Sequence, residues 1–524
     1  MITKRLIATC LLSIGLILTG CSKDTAKPAA NETPTTPSTT TTTAPAKSNQ
    51  PMEMNIATDQ DPVGFDPHKV PAASSLRIYS LIYDTLTRLD ADLNIIPSLA
   101  TKWTVSPDGK TVTFDLQKGV KFHNGREMTS ADVKFSFDRI LDAKTAALAK
   151  SYFTSVEAIE TPDPYQVVFK LKNIDSALIA NVTSIYTAIV PKEVADLNKE
   201  MVGTGPFKIG AIEAGQSVTL TKNPNYFVKD MPKADTIKFR VMKDEAERLA
   251  AVRTGKVDLT TVSADSAKLL EKTKGVTIQD YQTMEYGYLG INTTKKPFDD
   301  VRVRQALSYA VDRSEIVKTV WKDQGQVTGP ISPVQKAYAL NASDLPKKDI
   351  DKAKQLLKDA GYEKGFETVI QTASTYPDMI ESAQVIQQQL KAIGINAKIE
   401  QLEWAKYIET WKSKEMTLLI GRNTAGTDPD RSLRFFFSTS GGANVWNYSN
   451  KDFDALTQKA LETNDLEQRK KLYVDAQKML INDSPNLFLA SPKYFYAVSE
   501  RLDGFVPNAA SEAYAIMKTA IKNK

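Results

Sequence analysis

Cysteine and histidine are almost missing from this sequence. Its 524 residues include two cysteines, Cys10 and Cys21, and two histidines, His68 and His123. Cys10 sits inside a short apolar leader and Cys21 directly follows it, so the body of the chain carries no thiol. That excludes disulfides, cysteine nucleophiles, zinc ribbons and iron–sulfur clusters. Two histidines give poor support to a dedicated transition-metal site built on imidazole. Long hydrophobic runs are missing as well: the apolar stretch 6–18 stops well short of the ~20 residues a membrane-spanning helix needs. Charge of one sign is not in excess. The net charge is +5, and without Lys4 and Arg5 of the leader there remain 65 basic against 62 acidic residues. So weak and diffuse a balance does not point to nucleic acid. Hydrolase signatures of the HExxH and GxSxG kind are absent. Gly109-Lys110-Thr111 resembles the end of a phosphate loop, but Thr104 stands where the first glycine belongs and the surroundings read as a hairpin. No catalytic residue is assigned.

What is present starts with targeting. Lys4 and Arg5, the apolar run 6–18 and the sequence Leu18-Thr19-Gly20-Cys21 form a secretory leader. Its ending resembles a bacterial lipobox, which implies residues 1–20 as signal peptide and Cys21 as a lipidated first residue. Residues 21–51, dominated by Thr, Pro and Ala, cannot bury a core and are expected to be a disordered tether. Such a chain holds a soluble body off a membrane surface.

From about residue 52 the pattern is mixed α/β. Residues 54–58 read as a strand. Residues 111–117 alternate, with Val112, Phe114 and Leu116 on one face, and 166–172 repeat the pattern with Val167, Phe169 and Leu171. Ser106-Pro107-Asp108-Gly109 before the first of these is a turn signal. Helical spacing recurs at Val303, Ala306, Leu307, Ala310 and Val311, with Asp299 and Asp300 placed to cap it. Stripes at 353–360 and 383–393 end in Gly361 and Gly394, and 395–404 then reads as a strand. Periodicity alone implies a large, multi-lobed α/β protein.

Several segments carry a more specific message: FDPH (65–68), the run 82–141, GTGPFKI (203–209), NPNYF (223–227), GKVDL (255–259), YLGINTTKKPFDDVRVRQALSYAVDR (288–313) and AKQLLKDAGY (353–362). In this order they resemble family 5 of the bacterial extracytoplasmic solute-binding proteins, the peptide- and nickel-binding receptors of ABC importers. The resemblance implies a two-lobed clamshell of the class II periplasmic-binding-protein type, with an extra small α/β domain inserted in lobe I. Lobe I would be 52–83, 173–283 and 490–524, the extra domain 84–172, and lobe II 284–489. It further implies a monomer with no bound cofactor, no metal and no nucleic-acid partner. Such a receptor captures a peptide or other small solute in the interlobe cleft and delivers it to a permease and its ATPase subunits.

Two stretches match ligand-facing parts of the family. One is the cleft-facing loop of lobe I, with Pro62 and Val63; the other comprises Trp404 and residues 421–430, with Arg422, Asn423, Thr424 and Asp428. Many peptide binders carry a tryptophan and, three residues later, an aspartate that pairs with the peptide's α-ammonium. Here Asn423 stands at the first position and Ala425 or Gly426 at the second, so the usual amine anchor is missing. A shifted loop would let Asp428 serve instead, and Arg422 would suit a ligand carboxylate. On this reading, replacing Arg422 or Asp428 by Ala weakens ligand binding without unfolding the protein. Plainer roles stand beside these. Trp404 and Trp411 suit a core or rim, Arg422 a surface ion pair, Asp428-Pro429-Asp430 a turn, and Tyr286 and Tyr288 a packed strand. A receptor for a metal chelate or another non-peptide solute, and a sensor that presents its ligand to a signalling protein, remain open.

Overall fold

A computed structural model describes residues 52–424 and 426–522. The leader, Cys21, the Thr/Pro segment and Ala425 lie outside the described residues.

The strands form three large sheets, beside two two-stranded pairs, Thr87–Leu89 with Ile95–Pro97 and Leu502–Asp503 with Ala520–Ile521. The first runs, in spatial order, through strands Val276–Gln282, Ala490–Ser499, Leu259–Val262, Glu53–Thr58, Thr236–Val241, Ser217–Lys222 and Phe207–Glu213, and Gly325–Val327 pairs with the start of the second of these. The next has the order Ile395–Leu402, Phe366–Ala373, Leu418–Thr424, Glu285–Ile291 and Asn486–Phe488. The last is the antiparallel set Ala100–Val105, Thr111–Leu116, Gln166–Leu171 and Val156–Asp163. Each sheet has its own apolar core. In the four-stranded sheet Val112, Phe114 and Leu116 face inward as the alternation requires, and helix Ser130–Leu141 covers them through Phe137, whose ring meets Phe169 edge-on at 4.9 Å. The Ser106–Gly109 turn closes the first hairpin, with Gly109 at φ +70°. Gly109-Lys110-Thr111 is thus a hairpin corner.

The helices begin and end where their polar residues dictate. Asp300 caps Val301–Ala310 by accepting from the Arg302 amide at 2.8 Å. Gly361 and Gly394, both at positive φ, follow helices Ile350–Asp359 and Pro377–Lys391. One boundary differs from the sequence expectation. The strand from Ile395 stops at Leu402 because Glu403 turns its carboxylate onto the Ala405 amide and starts a helix at Trp404.

Family-pattern residues outside the cleft are structural. Asp66 is paired to Arg139 on two oxygens, and Arg139 also donates to His68 Nδ1 at 2.6 Å. His68 Nε2 then donates to the Ala188 carbonyl at 2.9 Å, which requires a neutral ring. Gly203 lies so close to the Ile82 carbonyl that an added Cβ would sit 2.0 Å from its oxygen.

Candidate ligand-binding site

Apart from the excursion that adds Gly325–Val327 to the edge of Ala490–Ser499, the chain passes directly from a strand of one of the two larger sheets to a strand of the other at residues 283–284 and at Leu489. The crossings are stitched to each other. The Thr283 hydroxyl donates to the Pro492 carbonyl at 2.9 Å, Ser491 Oγ donates to the Thr283 carbonyl at 2.9 Å, and Ser332 Oγ donates to the same carbonyl at 2.7 Å. Gln282 Nε2 adds a bond to Ser491 Oγ at 2.7 Å. A hinge tied in this way lets the lobes move as bodies about one short axis.

Beside the hinge, strand Leu418–Thr424 lies antiparallel to Glu285–Ile291, with Gly287 opposite Arg422 and Tyr286 opposite Asn423. Arg422 is part-buried. Its Nη1 lies 3.6 Å from Asp378 and 3.9 Å from Glu285, and its guanidinium stacks over Tyr376 at 4.6 Å. Burial works against its charge, but Asp378 first, then Tyr494 and Glu285, hold its pKa above the ordinary guanidinium value. Its two carboxylate neighbours are ion pairs at longer range, and none of its N–H groups makes a hydrogen bond among the described residues, which leaves the donors of a charged planar fork available. Trp404 is 40% exposed. It stacks face to face on Tyr407 at 5.4 Å and meets Tyr376 edge-on at 5.2 Å. From the other side of the hinge, Tyr494 donates to Glu285 Oε2 at 2.5 Å, and the Asp59 carboxylate helps raise the Tyr376 phenol, though burial is the larger cause. Aromatic faces and a charged fork therefore meet between the two lobes.

The remaining residues named from sequence are distributed as follows. Pro62 is part-buried and Val63 is 74% exposed on a loop whose backbone is held, the Val63 amide by Ser75 Oγ at 2.9 Å and the Phe65 amide by Asn198 at 2.7 Å. Asn423 is buried and donates to the Tyr286 hydroxyl at 3.2 Å, while Thr424 is exposed at the strand end. Asp428 is different. It accepts from the Asp430 amide at the start of helix Pro429–Phe437 and from Arg469 Nη2 at 2.7 Å, with both side chains almost wholly buried. Its carboxylate is committed to the fold, so the shifted-anchor expectation gives way to a structural role. Ala425, the other loop position considered, is outside the described residues. At Gly426 an added Cβ would fall 2.2 Å from Cβ and Cγ of Arg431, so no aspartate fits there with Arg431 in place. Tyr286 and Tyr288 are packed core residues, and Trp411 lies partly buried against the same core. Sequence reasoning missed Tyr376, Asp378, Glu285, Tyr494 and Arg431. Tyr376-Pro377-Asp378 does read as a helix start, but nothing in it says that the start faces Arg422.

The profile of the bacterial extracellular solute-binding proteins, family 5 (middle region), matches residues 94–444. The chain belongs to that family. The dipeptide-binding protein of Escherichia coli K12 is 30% identical over 501 residues, covering 88% of this chain and 93% of the relative. Heme-binding protein A of Haemophilus influenzae is 31% identical over 502 residues, covering 88% and 91%. The periplasmic binding protein DppA of Helicobacter pylori, solved with the peptide STSA, superposes with a TM-score of 0.81 at 29% identity, covering 90% of this chain and 98% of that one. The solute-binding protein described here is therefore a two-lobed α/β clamshell and a non-catalytic, extracytoplasmic receptor that serves an ABC permease and its ATPase.

Proposed function

We propose that this solute-binding protein captures short peptides between its lobes and is tethered to the membrane through a lipid on Cys21. The observation that carries the peptide reading is the likeness, over 90% of the chain, to a receptor solved with a peptide in place. The interlobe geometry agrees with it. A ligand favours closure only through contacts that both lobes make at once; Arg422, Tyr376 and Trp404 offer them from one side, with Asp59 near Tyr376 from the other, and the family pattern assigns Pro62 and Val63 to the facing loop. Thr424 extends the surface along the strand end, and Asn423 holds Tyr286 beneath it. Main-chain hydrogen bonds to an extended peptide supply affinity, and wet side-chain pockets supply breadth. In this reading lobe I is 52–83, 173–283 and 490–524, the extra domain 84–172, and lobe II 284–489. The body acts as a monomer.

A non-peptide organic solute is favoured by one specific observation, the equal identity to a heme-binding relative. Native mass spectrometry of the secreted protein, purified without denaturant, separates the two. A heterogeneous set of co-purified masses that fragment as peptides is the expected result, and Arg422→Ala is expected to retain about a tenth as much of it without a fall in melting temperature. A single discrete non-peptide mass would overturn the peptide reading. Intact mass of membrane-extracted protein tests the anchor: diacylglycerol on Cys21 is expected, and a free thiol there would remove it.

A further inference from the structure

Four arginines cluster around the loop 421–430 and the helix Pro429–Phe437, and three of them have carboxylates. Arg422 faces Asp378 and Glu285, Arg434 pairs with Asp430 at 2.8 Å, and Arg469 pairs with Asp428 at 2.7 Å. Arg431 has none among the described residues. Its guanidinium lies 3.5 Å from the Phe435 ring centroid, 4.9 Å from that of Phe436 and 5.1 Å from that of Tyr152. The phenols of Tyr186 and Tyr286 flank it further. Nη1 is wholly buried and makes no well-formed hydrogen bond among the described residues, the Tyr152 phenol offering the guanidinium only a marginal one. Burial pushes the guanidinium pKa down, although it remains a cation at neutral pH.

Aromatic faces attract a cation, but by only about 0.5–2 kcal/mol, whereas removing a charge from water costs several. A buried donor left unpaired in a native fold calls for an explanation, and a ligand that supplies the acceptor is one. The surroundings place this one at the lobe junction. Tyr152 and Tyr186 belong to chain that precedes the first crossing; Arg431, Phe435 and Tyr286 follow it. Thr427, at the neck of the same loop, donates to the Ala180 carbonyl across the junction at 3.4 Å. The loop is also shaped around this side chain, because only glycine at 426 leaves room for the Arg431 stem.

We propose that Arg431 is the anion-recognising residue of the receptor and that the ligand presents a carboxylate to it, from its C-terminus or an acidic side chain. This deepens the peptide reading and rests on it for the location of the ligand between the lobes. A carboxylate accepts two parallel N–H bonds from a guanidinium fork and neutralises it. Arg431 is part-buried among aromatic rings, where such a pair is screened less than in open water. Ligand binding then also removes a standing cost of the unliganded protein.

Isothermal titration of the full-length protein and of Arg431→Gln with three probes tests this: trialanine, trialanine amide and Ala-Glu-Ala amide. The wild type is expected to bind a carboxylate-bearing probe about 10- to 100-fold tighter than trialanine amide, and Arg431→Gln to lose that preference. Preference for trialanine places a C-terminal carboxylate at Arg431; preference for Ala-Glu-Ala amide places an acidic side chain there. An equal preference in wild type and variant, or none in the wild type, overturns the assignment. Should the wild type bind no tripeptide, the peptide reading falls. The co-purified solute then decides for Arg431: an anion retained by wild type and lost from Arg431→Gln upholds it, and equal retention removes it. A melting curve of the ligand-free proteins excludes a purely structural role. Arg431→Met is expected to melt at or above the wild type, since it deletes an uncompensated charge, and a clearly lower melting point would mean the cage is a fold element only.

Discussion

Asp428 and Arg431 are three positions apart on one helix start and have opposite relations to charge. Asp428 closes a pair with Arg469 in which neither side chain is more than 7% exposed. Removing one member of such a pair strands the other. Asp428→Ala is therefore expected to lower unfolding stability by about 3–5 kcal/mol in urea denaturation, with the slope unchanged. A loss below ~1 kcal/mol would show that Arg469 finds water or another partner. The histidines supply a second residue-scale expectation. Burial is the leading cause that lowers the pKa of His68 and of His123 to about 4, against 6.5 in the unfolded chain. Between those values the unfolded state binds more protons, so each histidine contributes stability above pH 6.5 that is lost as pH falls through about 4. Asp84 and Asp175, pushed up to about 6 by burial, act in the opposite sense over much of the same range. Comparison of His123→Gln with the parent cancels them. The variant is expected to lose less stability between pH 7 and pH 4.5 than the parent, and parallel curves would refute the assignment.

At the scale of elements, the sequence and the structure agree where a rule is local. Val112, Phe114 and Leu116 announce a one-sided strand because side chains alternate across a pleat, and Gly361 and Gly394 mark helix ends because positive φ suits glycine. The alternation from Ile395 runs on to Trp404 and predicts a strand end there, and the Glu403 cap outweighs that continuation. The site is where local rules run out. Pro62, Val63, Trp404 and Arg422 could be named from family pattern, but Glu285 and Tyr494, which join across the hinge, stand 209 residues apart. Periodicity contains nothing that pairs them. Arg431 is illegible for a related reason: a lone arginine in a helix reads as solvated surface, and only the assembled cage shows that no counter-charge faces it among the described residues. Asp428 looked like a ligand residue because its type suits an amine, while its partner Arg469 lies 41 residues away.

For the whole molecule, the strand Ala490–Ser499 has the widest reach. It lies between Val276–Gln282 and Leu259–Val262 and so occupies an interior place in the eight-stranded sheet. Just past it, Arg501 clasps Asp258 and also donates to the Glu53 carbonyl across 448 residues of chain. The five-stranded sheet, by contrast, draws all its strands from between Glu285 and Phe488. A chain stopped after Leu489 is expected to keep the hydrogen-exchange protection of strands Phe366–Ala373 and Leu418–Thr424 and to lose it at Glu53–Thr58 and Thr236–Val241. Protection retained in both sets would show that the larger sheet closes without its inserted strand. The arrangement has a consequence for biosynthesis. A polypeptide delivered from its N-terminus presents most strands of the eight-stranded sheet first, but that sheet must wait, with apolar strands exposed, for nearly the last segment to arrive. The five-stranded sheet emerges second, yet it is complete while the eight-stranded sheet still lacks an interior strand.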